Sequence, residues 1–177
     1  LRKVTTSYSS SGGGVIAPNI ADTVQEFDGI GRPISVSQGG LSVSNTYFDN
    51  SSWSGMGTLV RTTDERGQIW WQKYGPTGLL TRTQTPDPDG TGPLALLDTQ
   101  NVYDSRGNIN TVTESSGALS RTTSYVFDFR DLLTRITSPV PGGSLAALVT
   151  NYGYDKLQRP ITETGPTGVT MVTSYRD

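Results

Sequence analysis

The sequence predicts an all-β fold: tandem β-hairpins joined in a continuous, twisted or coiling antiparallel sheet. Three observations carry this. An aromatic-Asp pair recurs as Phe27-Asp28, Phe48-Asp49, Tyr103-Asp104, Phe127-Asp128 and Tyr154-Asp155. Between the pairs lie short segments rich in Thr, Ser and aliphatic residues, which is strand chemistry. With 21 Gly, 10 Pro and 33% hydrophobic residues in 177, the composition suits short strands and many turns rather than helices. A repeat of this kind sets the reading of everything else.

Each repeat has four parts. First, a strand runs through the aromatic-Asp pair into a turn. Tyr103-Asp104-Ser105-Arg106-Gly107 is the clearest copy and Phe27-Asp28-Gly29-Ile30-Gly31 matches it. Asp followed three residues later by Gly favours a type I turn, because the carboxylate accepts from nearby backbone N–H groups and Gly relieves the exit. Second comes a post-turn strand, such as Pro33-Ile34-Ser35-Val36 or Ile109-Asn110-Thr111-Val112. Third is another reversal at Gln38-Gly39-Gly40, Ser115-Ser116-Gly117 or Gly165-Pro166-Thr167-Gly168, with Gly available for positive φ. Fourth is a return strand ending in an aromatic. Leu41, Val43, Asn45 and Tyr47 share one face by period two, and Val169, Met171, Thr173 and Tyr175 repeat the pattern.

The unit is therefore a hairpin of about twenty residues. Spacings of 24, 27 and 21 residues separate Tyr103, Phe127, Tyr154 and Tyr175, with insertions taken up in loops. Pro139-Val140-Pro141-Gly142-Gly143 and the stretch from Pro86 to Pro93 read as the longer loops, since Pro is excluded from central strands. Between residues 57 and 86 two alignments stay open. Tyr74 to Arg82 matches Phe127 to Arg135, while Gly75-Pro76-Thr77-Gly78 equals the reversal at 165–168.

These copies resemble the RHS or YD repeat family of bacterial polymorphic toxins, toxin-complex cocoon subunits and teneurins. Its motif, Tyr-Asp-x-x-Gly-Arg-Leu, is matched at Phe27, Asp28, Gly31 and Arg32, and at Tyr103, Asp104 and Gly107. The copies at Phe127-Asp128 and Tyr154-Asp155 carry Asp131 and Gln158 in place of Gly. The resemblance covers most of residues 25–177. It implies a coiling β-sheet whose wall encloses a toxin cargo, in a secreted or cell-surface bacterial setting. The family's self-cleaving members carry extra Asp-Pro-Gly motifs after the repeats, with no convincing counterpart here.

Residues 1–24 read as the end of a preceding repeat plus a Gly/Ser-rich loop at Ser9 to Gly14, and residues 25–177 as the repeats, the last incomplete. Val4-Thr5-Thr6-Ser7-Tyr8 resembles the close of a return strand, and Tyr175-Arg176-Asp177 a new repeat just begun. Neighbours are expected at both ends, either adjacent repeats or identical subunits.

Composition narrows the chemistry. With no His and no Cys, the chain lacks the commonest general base, thiol ligands and any Ser-His or Cys-His nucleophile, so a non-catalytic protein without cofactor or metal is expected. Asp87-Pro88-Asp89-Gly90 could offer oxygens to Ca²⁺, but without the further ligands of a calcium loop it reads as a solvated turn. A net charge of −2 gives no reason to propose nucleic acid, and no apolar run approaches membrane-spanning length. The structural repeat positions are Phe27, Asp28, Gly31, Tyr47, Tyr103, Asp104, Gly107, Tyr125, Phe127, Asp128, Tyr154, Asp155 and Tyr175. Trp53, Trp70 and Trp71 are the candidates for a glycan or interface surface. Trp70 and Trp71, being adjacent, must face opposite ways in a strand. Core or interface packing is their ordinary use. Arg32, Arg106 and Arg159 are expected to pair across strands with acids. The leading expectation is a structural protein, shell wall or self-assembling fibre. The alternative is a carbohydrate-binding or adhesion module.

Overall fold

The computed structural model describes residues 2–6, 22–49, 57–139 and 146–176. Every regular element among them is a β-strand. The chain forms two compact units, Leu1–Pro86 and Asp87–Asp177. They divide inside the Pro-rich stretch that the sequence marks as a long loop.

In the first unit, β1 (Arg2–Thr6), β2 (Thr23–Phe27), β3 (Pro33–Gln38), β4 (Leu41–Asp49), β5 (Thr58–Thr63), β6 (Ile69–Tyr74) and β7 (Leu80–Gln84) follow one another in chain order, each antiparallel to the next. The second repeats the plan with β8 (Asp98–Tyr103), β9 (Ile109–Ser116), β10 (Leu119–Phe127), β11 (Leu133–Ser138), β12 (Leu148–Tyr154), β13 (Pro160–Thr164) and β14 (Thr170–Val172). Each unit is thus a continuous meander of hairpins, the all-β class that the sequence predicts.

One turn geometry recurs at seven places among the described residues. At Asp28, Asp64, Gly75, Asp104, Asp128, Asp155 and Gly165 the N–H donates to the carbonyl four residues on, and the N–H three residues on donates back. This is the three-residue hairpin loop in which a type I turn is followed by a left-handed residue. That residue has φ between 62° and 91° in all seven: Gly31, Gly67, Gly78, Gly107, Gly168, and also Asp131 and Gln158. The two copies lacking Gly therefore make the same turn, against the steric cost of the left-handed region. In the Gly165 turn it is Gly168, not Gly165, that takes the positive φ. Asp64-Glu65-Arg66-Gly67 carries the Asp-x-x-Gly wording but follows Thr63, and a search for aromatic-Asp pairs passes over it.

The aromatic distinguishes two kinds of hairpin. Where Phe27, Tyr74, Tyr103, Phe127 or Tyr154 precedes the turn, the register slips by one residue beside the ring, leaving Ile34, Thr81, Asn110, Thr134 or Ile161 as a bulge. Where Thr63 or Thr164 precedes it, pairing continues without a slip. At two bulges a hydroxyl compensates the disturbed ladder: Thr81 Oγ1 donates to the Lys73 carbonyl at 3.2 Å and Thr134 Oγ1 to that of Val126 at 3.1 Å. The segment from Tyr74 to Arg82 therefore matches that from Phe127 to Arg135 in turn, bulge and hydroxyl. With the reversal at 165–168 it shares only the turn. Gly39-Gly40 and Gly117-Ala118 close β3–β4 and β9–β10 as two-residue links.

Asp49 is the last residue of β4, and its carboxylate takes the side chains of Arg32 and Thr58, while the turn expected after it lies outside the described residues. One expectation changes. The last return strand is short: β14 ends at Val172, so Val169, Thr173 and Tyr175 lie outside it, although the Thr173 N–H still reaches the Ile161 carbonyl at 2.9 Å. Trp53, the Ser9 to Gly14 loop, Tyr8, Asp177 and residues 140–143 of the Pro-rich loop lie outside the described residues.

Core formation is minimal. Leu59 and Val60 are the buried apolar side chains among the described residues, and as neighbours in β5 they serve opposite faces. Phe129, at 86% exposure, and Leu119, at 77%, stand in solvent. Backbone pairing and turn chemistry therefore carry more of this fold than in a two-layer domain.

Gln158→Gly should stabilise the protein by about 0.5–1 kcal/mol, because relief of the left-handed backbone outweighs the added chain entropy. A higher midpoint in urea unfolding at unchanged slope is the expected readout.

Candidate functional site

The turn aspartates share one arrangement. In each, a single carboxylate oxygen accepts two backbone N–H groups, those two and four residues on. For Asp28 these are Ile30 at 3.0 Å and Arg32 at 2.9 Å, and for Asp155 they are Leu157 at 2.9 Å and Arg159 at 2.8 Å. Asp64, Asp104 and Asp128 repeat it. In four of these turns the second oxygen takes a side chain: Arg32 at 2.6 Å, Asn108 at 3.2 Å, Arg130 at 2.8 Å and Arg159 at 2.7 Å. The carboxylate thus satisfies donors that a tight turn would leave to water.

These contacts set the protonation chemistry. The Arg32 side-chain bond, with the two N–H groups, holds the Asp28 carboxyl below its ordinary range. For Asp104, Asp128 and Asp155, desolvation pushes upward, but the N–H groups, the side-chain partners and the nearby cations together win, so all three are also lowered. Desolvation raises the Tyr47 and Tyr154 hydroxyls.

In the second unit the turns are stitched to one another along one rim. Arg106 Nη1 donates to the Asp128 carbonyl at 2.8 Å and lies 3.1 Å from the Asp131 carboxylate, which also takes Asn108 Nδ2 at 2.7 Å. Arg130 Nη1 reaches the Asp155 carbonyl at 3.3 Å. The arginines after the turns thus pair within or between turns, and Arg32 also reaches Asp49 at the end of the neighbouring strand β4, the cross-strand partner type that the sequence suggested. Arg121 of β10 and Glu114 of β9 form the expected cross-strand pair, at 2.7 Å.

Tyrosines lock the returning chain onto the post-turn strands. The Tyr47 hydroxyl donates to the Pro33 carbonyl, Tyr154 to Leu133 and Tyr175 to Pro160, at 2.8–2.9 Å. Arg32 lies 4.2 Å over the Tyr47 ring and Arg159 4.5 Å over that of Tyr175. Phe27, Tyr103 and Phe127 end β2, β8 and β10 at the bulges, while Tyr125 sits within β10 opposite Ile136.

The two faces of the first unit differ. On one, Phe48 and Trp71 stack with centroids 6.0 Å apart, beside buried Leu59 and Lys73, and Arg61 reaches Thr46 Oγ1 at 3.4 Å. On the other, Arg32, Asn45, Tyr47, Thr58, Val60, Thr62, Gln72 and Tyr74 line a groove of about 320 Å³. Trp70 lies in register with Thr62 on the groove face, and Trp71 is on the Phe48 face, so the two share no platform. Of the groove residues, the sequence reading singled out Tyr47 alone as a site. The signal for the rest is the common period-two phase of Asn45-Tyr47, Thr58-Val60-Thr62 and Gln72-Tyr74, readable only once pairing registers are known. At the Pro-rich loop, Asp87 and Asp89 accept backbone N–H groups from Asp89 at 3.2 Å and Leu94 at 3.1 Å, as a turn requires.

No protein-family model matches the chain, nor does any curated protein sequence. Among solved structures, a chain of the Photorhabdus luminescens Tc holotoxin pore, in a mutant form, is similar at 16% identity with a TM-score of 0.49. The match covers 88% of this chain and 10% of that one, so the chain spans about a tenth of its length.

Stability should depend on acid. Since folding lowers the pKa of these four carboxyls, their contribution is fully present above the unfolded-state carboxyl range and is lost as pH falls through the lowered folded-state values. Thermal unfolding should give a Tm flat from about pH 7 to 5 and falling below about pH 4. A Tm that rises on acidification would contradict these contacts.

Proposed function

We propose that this chain is a non-catalytic structural segment of an extended β-sheet assembly. The observation that carries this reading is the mismatch between its regular sheet and its scant core. Val169, Met171 and Val172 are all more than 60% exposed, as are Leu119 and Phe129, while the described buried apolar set is Leu59 and Val60. Hairpins of this kind gain stability by sharing faces and edges with further layers, either adjacent repeats or identical subunits.

The finer reading is an RHS-type repeat in the wall of a toxin-enclosing shell, in a secreted or cell-surface bacterial assembly. Support comes from the motif matches at Phe27, Asp28, Gly31 and Arg32 and at Tyr103, Asp104 and Gly107, joined by five aromatic-plus-bulge hairpins. The fibre remains the nearest rival. A Trp-based carbohydrate module draws less support, because Trp70 and Trp71 face apart.

Electron microscopy of the purified full-length gene product separates these. Closed hollow particles are the expected result. Filaments would replace the shell by the fibre, and discrete monomers showing no assembly across concentrations would overturn the structural reading.

A further inference from the structure

The dipeptide Asp-Gly occurs as Asp28-Gly29 and again as Asp89-Gly90, in opposite surroundings. In such a pair the backbone nitrogen of Gly can close a five-membered ring on the Asp side chain, because no side chain shields that nitrogen and the backbone turns freely toward the carboxyl. Asp28 is pinned. Its Oδ1 accepts the Ile30 and Arg32 N–H groups, its Oδ2 takes Arg32 Nε at 2.6 Å, and its own N–H and carbonyl are bonded across the turn to Arg32 and Gly31. The same bonds hold its carboxyl below the ordinary pKa range, and an ionised carboxylate is a poor electrophile.

Asp89 is held far less firmly. It is exposed, and its carboxylate accepts the Leu94 N–H at 3.1 Å. Its N–H bonds to the Asp87 carboxylate at 3.2 Å, and its carbonyl accepts the Thr91 N–H at 3.0 Å across Gly90, whose φ is 73°. All of these partners lie in the loop between β7 and β8, so none ties Asp89 to a paired strand. Neighbouring Asp87 is excluded from the same chemistry, because it precedes Pro88, whose nitrogen carries no proton to give up.

We propose that Asp89-Gly90 is a site of spontaneous covalent modification, at which the aspartyl link rearranges to an isoaspartyl one through a succinimide. The Gly90 nitrogen attacks Cγ of the protonated Asp89 side chain, forming the N–Cγ bond, and its amide proton leaves with the carboxyl OH as water. Water then adds to the Asp89 main-chain carbonyl and breaks the bond from that carbon to the Gly90 nitrogen. One water leaves and one returns, so no oxidant or other co-reactant is needed. The chain now runs through Cβ and Cγ. The carbonyl that accepted the Thr91 N–H becomes a free carboxylate, and the carboxyl that accepted the Leu94 N–H becomes a main-chain amide, so both loop bonds are remade. The site is independent of the assembly reading, since a shell wall, a fibre or a monomer would each carry it.

Ageing the intact chain for weeks at about pH 6, where the carboxylate contacts still hold the fold, tests this. Peptide mapping by mass spectrometry should show an isomer of the Asp89 peptide at unchanged mass with the fragment ions of an isoaspartyl backbone, preceded by a form lighter by one water. The Asp28 peptide should isomerise at least about tenfold more slowly, since reaching the ring-closing geometry there breaks charge-assisted hydrogen bonds. In urea, where both dipeptides are released, the two rates should come close to each other. Gly90→Val, which shields the attacking nitrogen, should slow the Asp89 reaction alone. An Asp89 peptide that stays unmodified in the folded chain, an Asp28 isomer that forms there as fast as the Asp89 one, or a difference between the two as large in urea as in the folded chain would overturn the proposal.

Discussion

The carboxylate oxygen that accepts two backbone N–H groups is the contact on which the remaining architecture depends. A sheet with so few buried side chains cannot rely on a core to choose its register, and a slip of one residue would exchange its two faces. Register must therefore be set at the hairpin ends. Asp28, Asp64, Asp104, Asp128 and Asp155 do this by fixing the residue two on and the residue four on from a single atom, which leaves the third residue the left-handed conformation that closes the loop. Gly75 and Gly165 reach the same backbone without a carboxylate, helped by Pro at the next position, whose fixed φ suits a type I turn.

The aromatic adds a second layer of specification. Its presence before the turn goes with a bulge in all five described cases, and its replacement by Thr goes with an uninterrupted ladder in both others. Bulges increase local twist and bend a strand. The five bulged hairpins thus stand apart from the two plain ones, and the tyrosine hydroxyls that reach the Pro33, Leu133 and Pro160 carbonyls tie three of the bulged hairpins to the chain returning toward them.

Much of this is legible in the sequence because it is local. Asp-x-x-Gly names its own turn, and period-two runs such as Leu41 to Tyr47 name their strand. What escapes is whatever depends on pairing between distant strands. The partners of Asp49, Arg32 from the preceding turn and Thr58 from the next strand, cannot be read from its own segment. Asp131 and Gln158 look like degraded motifs, yet the surrounding hydrogen bonds hold both at positive φ. The groove is least legible, since Asn45, Thr62 and Gln72 come together only through the β4–β5 and β5–β6 registers.

Hydrogen exchange offers the most direct test that turn chemistry, rather than a core, holds the sheet. The amides of Ile30, Arg66, Arg106, Arg130 and Leu157 are bonded to a carboxylate oxygen although they lie at hairpin tips. At neutral pH their protection, corrected for intrinsic rates, should approach that of mid-strand amides such as those of β5 and β9. Exchange of these five at the rate of an unstructured loop, with the strands still protected, would contradict it.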